Sequence, residues 1–172
     1  MIISDLHIPY HHQDSIDFLR AVKEHYNIDN DNPNHHIWNI GDEADFHGIS
    51  MHDSETSLDT QHNETIKARK VFQELETLFP EMTLVHSNHG SMLYRRGKKH
   101  GIPNYMLRDY NEVLGVGDGW KWYSDYKHQM NNGQWVFMTH GMKKNGLTLA
   151  KEMGMSVIQG HYHTEFNISY TS

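Results

Sequence analysis

Five short segments of this chain carry side chains able to bind a divalent cation: Asp5-Leu6-His7, Gly41-Asp42, Asn88-His89, His140-Gly141 and His161-Tyr162-His163. Asp5 and His7 stand at i and i+2, as do His161 and His163, and in extended backbone such residues project to the same face. Carboxylate, amide oxygen and imidazole without thiolate make an oxygen and nitrogen ligand set, suited to Mn²⁺, Fe, Co, Ni or Zn²⁺. Each segment alone has a plain alternative. Asp5 can cap the turn after a strand, Asp42 can close an Asx turn, and Asn88 can take a left-handed turn position ahead of Gly90. All five alternatives would have to hold at once to dismiss a shared site. Histidines in polar stretches or at element ends, among them His11, His12, His35, His36, His47, His52 and His128, read as solvated or locally hydrogen-bonded.

The elements that must position these groups alternate between strand and helix. Ile2-Ile3 is an apolar strand end running into Asp5, and His36 to Ile40 a short strand running into Gly41. Met82 to His86 is a strand leading to Asn88, and Ser156 to Gln159 one leading to His161. Helical spacing of Ile16, Leu19 and Val22 predicts a helix over Ser15 to Tyr26. Ala68, Val71, Phe72, Leu75, Leu78 and Phe79 predict a second over Glu64 to Phe79, stopped by Pro80. Leu147 to Met153 reads as a third. Trp120 to Tyr126 and Gln134 to Thr139 read as a hairpin around Asn131-Asn132-Gly133. The polar stretch Asp45 to Gln61 fits no period. The pattern predicts one layered α/β domain over residues 1–172, with its polar clusters at the carboxyl ends of strands, where open α/β sheets bind ligands.

Composition narrows the classes. The chain has 172 residues and no cysteine, which excludes disulfides, thiolate nucleophiles and Cys-based zinc or iron–sulfur sites. With 22 acidic and 15 basic side chains the net charge is −7, so a uniformly basic nucleic-acid binder is disfavoured while a local basic patch is not. No apolar run approaches the roughly 18 residues of a membrane helix, and the first residues lack the pattern of a signal peptide. A cytoplasmic protein without membrane partners is expected.

In order and spacing, Asp5-x-His7, Gly41-Asp42-x-x-Asp45, Asn88-His89, His140-Gly141 and Gly160-His161-Tyr162-His163 resemble the motifs of the calcineurin-like metallophosphoesterase superfamily, and most closely its small, often phage-encoded members. The resemblance spans Asp5 to His163. It implies a β-sandwich of mixed sheets flanked by helices and a binuclear centre. Asp5, His7, Asp42 and His163 would hold one metal. Asp42, Asn88, His140 and His161 would hold the other, with Asp42 bridging. Mn²⁺ is the expected occupant, with Fe, Ni, Co or Zn²⁺ as alternatives. Two such ions activate a bridging hydroxide and clamp phosphoryl oxygens for in-line displacement. His89 is the expected catalytic residue, steadying the developing charge or protonating the leaving oxygen, and Asp45 is expected to support the ligands from just outside them.

Two departures stand out. The family motif continues Gly-Asn-His with Asp or Glu, whereas this chain reads Ser87-Asn88-His89-Gly90, so the usual partner of His89 is missing and another carboxylate must supply that contact. Nine residues follow His163, where the family has further strands. Glu165 to Thr171 can supply one, or a second copy of the chain can cover the edge. Downstream of His89, Arg95, Arg96, Lys98 and Lys99 concentrate positive charge and read either as a solvated helix face or as a grip on substrate phosphate. A phosphodiesterase or nuclease acting on DNA or RNA is the leading expectation. A phosphomonoesterase acting on nucleotides or phosphoproteins is the alternative, and a non-catalytic scaffold the third.

Overall fold

Parallel strands must be covered on both faces, and the first sheet of this protein meets that need with helices on one side and a second sheet on the other. The computed structural model describes residues 1–50, 57–165 and 167–170. The first sheet runs β1 (Ile2–Ile3), β2 (Trp38–Asn39), β3 (Met82–Val85), β4 (Trp120–Tyr123), all parallel. The second runs β5 (Tyr126–Gln129), β6 (Trp135–Thr139), β7 (Ser156–Gln159), with β5 antiparallel and β7 parallel to β6. Alternation divides the side chains of the first sheet. Ile37, Met82 and Leu84 join a core with Ile16, Leu19, Phe72 and Leu75, whereas Trp38, Ile40 and Val85 join Val136 and Met138 of the second sheet. The chain is therefore an α/β protein of two sheets flanked by helices.

Helices α1 (Ser15–His25) and α2 (Gln61–Leu78) match the expected spans to within three residues. Thr60 caps α2 by accepting from the Asn63 N–H at 3.4 Å. The buried stripe of α2 is Glu64, Ala68, Phe72, Leu75 and Leu78. Glu64 is a carboxylate on an apolar stripe because it accepts the N–H groups of His47 and Gly48, at 3.2 and 3.0 Å. That pair of bonds holds a 3₁₀ turn, His47–Ile49, against α2. Residues 51–56 of the stretch that fits no period, His52 included, lie outside the described residues.

The expected hairpin is half right. The turn forms as read, with Gly133 at φ 83° and its N–H on the Met130 carbonyl at 2.8 Å. The first arm, however, is not one strand. The chain leaves β4 in the first sheet, turns at Ser124-Asp125 and enters β5 in the second. Buried Trp120 belongs to the helix-side core and donates its Nε1–H to the Phe79 carbonyl at 2.9 Å, so its strand cannot also follow the second sheet. Two further short helices form: α3 (Met92–Lys99), which carries the basic segment, and α4 (Tyr110–Leu114), where no helix is expected. Helix α5 (Gly146–Met153) packs on β7. The strand expected over Glu165 to Thr171 does not form in residues 165 and 167–170, and the rest of it lies outside the described residues. Among the described residues no helix is long and apolar enough to cross a membrane.

Candidate metal centre

The segments after β1, β2, β3, β6 and β7 come together at one end of the two sheets. Main-chain bonds extend the β1–β2 pairing past the strands: Asp5 N–H to the Gly41 carbonyl at 3.0 Å, His7 N–H to Asp42 at 2.8 Å and Ile8 N–H to Glu43 at 2.9 Å. Within that extension the backbone is forced. Asp5, His7 and Asp42 have φ of 54°, 51° and 50°, and His161 has φ of 74°. Non-glycine residues rarely adopt this region, and strain of this kind gathers at functional sites. Among the described residues, four of the six non-glycine positions with positive φ are expected ligands, an association that owes nothing to resemblance. Glycines admit the close approach. A Cβ on Gly41, itself at φ 104°, would sit 2.5 Å from His140 Nδ1, and one on Gly160 would sit 2.5 Å from Asp5 Oδ2.

Donor atoms of Asp5, His7, Asp42 and His163 all lie within 4.8 Å of one another, and so do those of Asp42, His140 and His161. Asp42 belongs to both groups. His163 Nε2 is 3.0 Å from Asp5 Oδ1, His7 Nε2 is 3.4 Å from His163 Nε2, and His140 Nε2 is 2.9 Å from Asp42 Oδ2. Asn88 lines the same cleft as His140 and His161. The structure thus brings together every expected ligand.

The donor set fits two cations. His7 commits Nδ1 to Asp45 Oδ1 at 2.8 Å, and His140 commits Nδ1 to the Ile40 carbonyl at 2.9 Å. Both rings therefore turn Nε2 toward the cluster, the arrangement in which metal-bound histidines are usually held. His140 Nε2 is buried and makes no hydrogen bond, because its approach to Asp42 lacks hydrogen-bonding alignment. His7 Nε2 and His140 Nε2 lie 3.6 and 2.9 Å from Asp42 Oδ2, so both imidazoles face one carboxylate oxygen that a cation could share.

Charge shapes the site as well. Burial alone would raise the Asp42 carboxyl, but the His140 imidazole, with Ser87 and His89, outweighs it and brings the group down to about 2. For His7, burial opposes the charged ring, yet Asp45, Asp42 and Asp5 together raise its pKa. Likewise His140 rises, against burial, through Asp42, the Ile40 carbonyl and Asp5.

Asp45 answers the question posed by Gly90. Its main-chain carbonyl is in contact with His89 Nδ1, and its carboxylate lies 3.7 Å from the same nitrogen. One residue therefore orients both His7 and His89, whose rings meet edge-on with centroids 4.7 Å apart. With Nδ1 committed, any proton that His89 exchanges with a ligand must use Nε2.

The basic segment divides. Arg95 reaches back to the Asn88 carbonyl at 2.6 Å, which sets a guanidinium beside the cluster. Arg96 donates to the main-chain carbonyls of Ile49 and Ser50 and so braces the loop after the 3₁₀ turn. Lys98 and Lys99 are exposed at the far end of α3. Of the histidines read as solvated or locally hydrogen-bonded, His12 and His35 accept local N–H groups through Nδ1, whereas His11 Nδ1 and His47 Nε2 are buried without a hydrogen bond; none of the described ones joins a candidate metal-ligating group.

Sequence reasoning missed Glu43. It is fully buried next to Asp42 and accepts the Tyr110 hydroxyl at 2.5 Å. Burial raises its carboxyl to about 7, despite the opposing Tyr110 bond. No local pattern marks it, since its partner is 67 positions away. No family model, curated protein or solved structure matches this chain.

Proposed function

We propose that this chain is a two-metal phosphoesterase of the calcineurin-like kind that hydrolyses phosphodiesters, with nucleic acid as the substrate class. The observation that carries the reading is the pair of ligand groups sharing Asp42, assembled from four separate strand ends. Asp5, His7, Asp42 and His163 would hold one ion, and Asp42, Asn88, His140 and His161 the other. Divalent ions bound there supply Lewis acidity to the phosphoryl oxygens and a water of lowered pKa.

The chain's own residues do the rest. Asp42, ionised down to about 2, keeps its negative charge at any working pH. Asp45 fixes the ring of His7 and that of His89. A water oxygen bonds to phosphorus and sheds one proton, the P–O bond to the leaving group breaks, and His89 Nε2 gives the leaving oxygen a proton that the one shed by the water replaces. The Arg95 guanidinium, already at the Asn88 carbonyl, can fork onto a phosphate oxygen. The test is hydrolysis of bis-p-nitrophenyl phosphate and p-nitrophenyl phosphate with chelator and with added Mn²⁺, alongside metal content of the purified protein. Metal-dependent turnover of the diester supports the reading. Turnover of the monoester alone replaces it with a phosphomonoesterase, and no turnover with a full metal complement removes catalysis.

A further inference from the structure

A cleft of about 250 Å³ opens beside the centre. On its metal side it is lined by Asn88, His140 and His161, the ligands of the second group, and by none of His7, Asp45 or His89. Its other walls include His86 and Met142, to which the reaction above gives no task. His86 stacks on Trp122 with centroids 5.4 Å apart and planes 24° apart. Trp122 is itself held: its Nε1–H donates to Asn111 Oδ1 at 2.6 Å, and the buried Tyr110 ring meets it edge-on at 4.6 Å. The ring of His86 is therefore a braced flat wall, and such a surface costs little entropy when a ligand settles on it. Met142 is 53% exposed, an adaptable thioether at the mouth.

Position decides what the cleft is for. In an in-line displacement the leaving group departs on the side of the proton donor. His89 stands with His7 and Asp45, so the leaving group belongs there. The cleft on the side of the second ligand group is left for whatever else phosphorus carries. A monoester carries nothing more, whereas a diester carries a second, non-leaving substituent. The volume lies just under the roughly 300–1,000 Å³ of pockets that enclose a whole drug-sized ligand, which suits one ring system.

Resting on the phosphoesterase reading, we infer that this cleft is the subsite for the non-leaving substituent of a phosphodiester, with His86 and Met142 contacting a flat heteroaromatic ring such as a nucleobase. The enzyme then prefers diesters whose retained group is a nucleoside.

The experiment holds the leaving group constant. Thymidine 5′-(p-nitrophenyl phosphate), methyl p-nitrophenyl phosphate and p-nitrophenyl phosphate all release p-nitrophenolate and differ only in what is retained. The wild type should favour the thymidine ester over the methyl ester in kcat/KM. His86→Ala and Met142→Ala should each lower that ratio by about tenfold, the scale of one lost stacking contact. His86→Phe, which keeps a flat ring, should retain it. Because Met142 is at the surface, its variant tests the subsite even if His86→Ala fails to fold. A second measurement does not use catalysis: thymidine 5′-methyl phosphate added to chelated protein should move the Met142 methyl resonance through the ring current of the bound base. An unchanged ratio in both alanine variants overturns the subsite, and so does an equal loss on all three substrates. A still methyl signal overturns it as well. If the wild type hydrolyses none of the three, the phosphoesterase reading fails by itself, and the methyl signal reports separately whether the cleft binds a base.

Discussion

Glu43→Gln provides a quantitative test of the buried acid beside the candidate metal ligands. The native state holds the Glu43 carboxyl at about 7 against an ordinary value of 4.5, because burial penalises its charged form. An unfolded chain releases that proton near its ordinary value, so between the two values the native state binds more protons. Stability must then fall as pH rises through the window, and it is fully present only below 4.5. A shift of this size, at 1.36 kcal/mol per pH unit, amounts to about 3 kcal/mol lost by pH 8. Glutamine mimics the protonated acid. It still accepts from the Tyr110 hydroxyl, and its amide takes the place of Oε2, which already has no hydrogen-bond partner. His7 and His140 also have raised pKa values and lose stabilisation over an overlapping range. Both remain in the variant, so the difference between the two proteins isolates Glu43. Urea unfolding of chelated protein at pH 5, 6, 7 and 8 should show the variant gaining on the wild type by about 2.5 kcal/mol across the series, the rest being already lost at pH 5. Parallel stability curves would refute the argument and mean that the carboxyl is ionised in the native state at neutral pH.

Other perturbations probe the centre itself. Asp42→Asn should abolish metal-dependent hydrolysis and lower bound metal while the protein stays folded, and wild-type turnover with a full metal complement would sink the shared-ligand assignment. His89→Ala should lower turnover roughly 10²–10⁴-fold on poor leaving groups and less on p-nitrophenolate, with metal content unchanged; loss of metal would make His89 a ligand. Because Asp45, Asp42 and Asp5 raise the pKa of His7, protons compete with the cation, so Mn²⁺ affinity measured by calorimetry should increase from pH 6 to pH 8, and a flat profile would contradict the ligand set. Replacing Lys98 and Lys99 by Ala should weaken single-stranded DNA binding and flatten its salt slope by up to about 1.4 units, an effect that Arg96→Ala, through its bonds to Ile49 and Ser50, would reach only by loosening the loop. Identical salt slopes would leave the two lysines as a solvated face.

What the sequence determined by itself is local. Helical periodicity placed α1 and α2, apolar runs ending in Asp, Asn or His placed the strand ends, and Asn132-Gly133 placed the turn. These signals survive because neighbouring residues share a face or a turn whatever the rest of the chain does. The candidate ligand residues were legible for the same reason: each stands within four positions of a strand's end, and a parallel sheet gathers such ends on one side.

Tertiary structure decided what depends on partners distant in sequence. It broke the arm expected over Trp120 to Tyr126 between two sheets, since Trp120 had a core of its own to fill. It supplied His89 with Asp45 from 44 positions away, in place of an acid at position 90. It turned Arg96 inward onto two carbonyls and left Arg95 at the cluster, a division that two adjacent arginines give no sign of. It buried Glu43 under Tyr110 and set His86 on Trp122 as the wall of a cleft. None of these leaves a periodic trace, because a long-range contact depends on the packing of whole elements rather than on the spacing of residues within one.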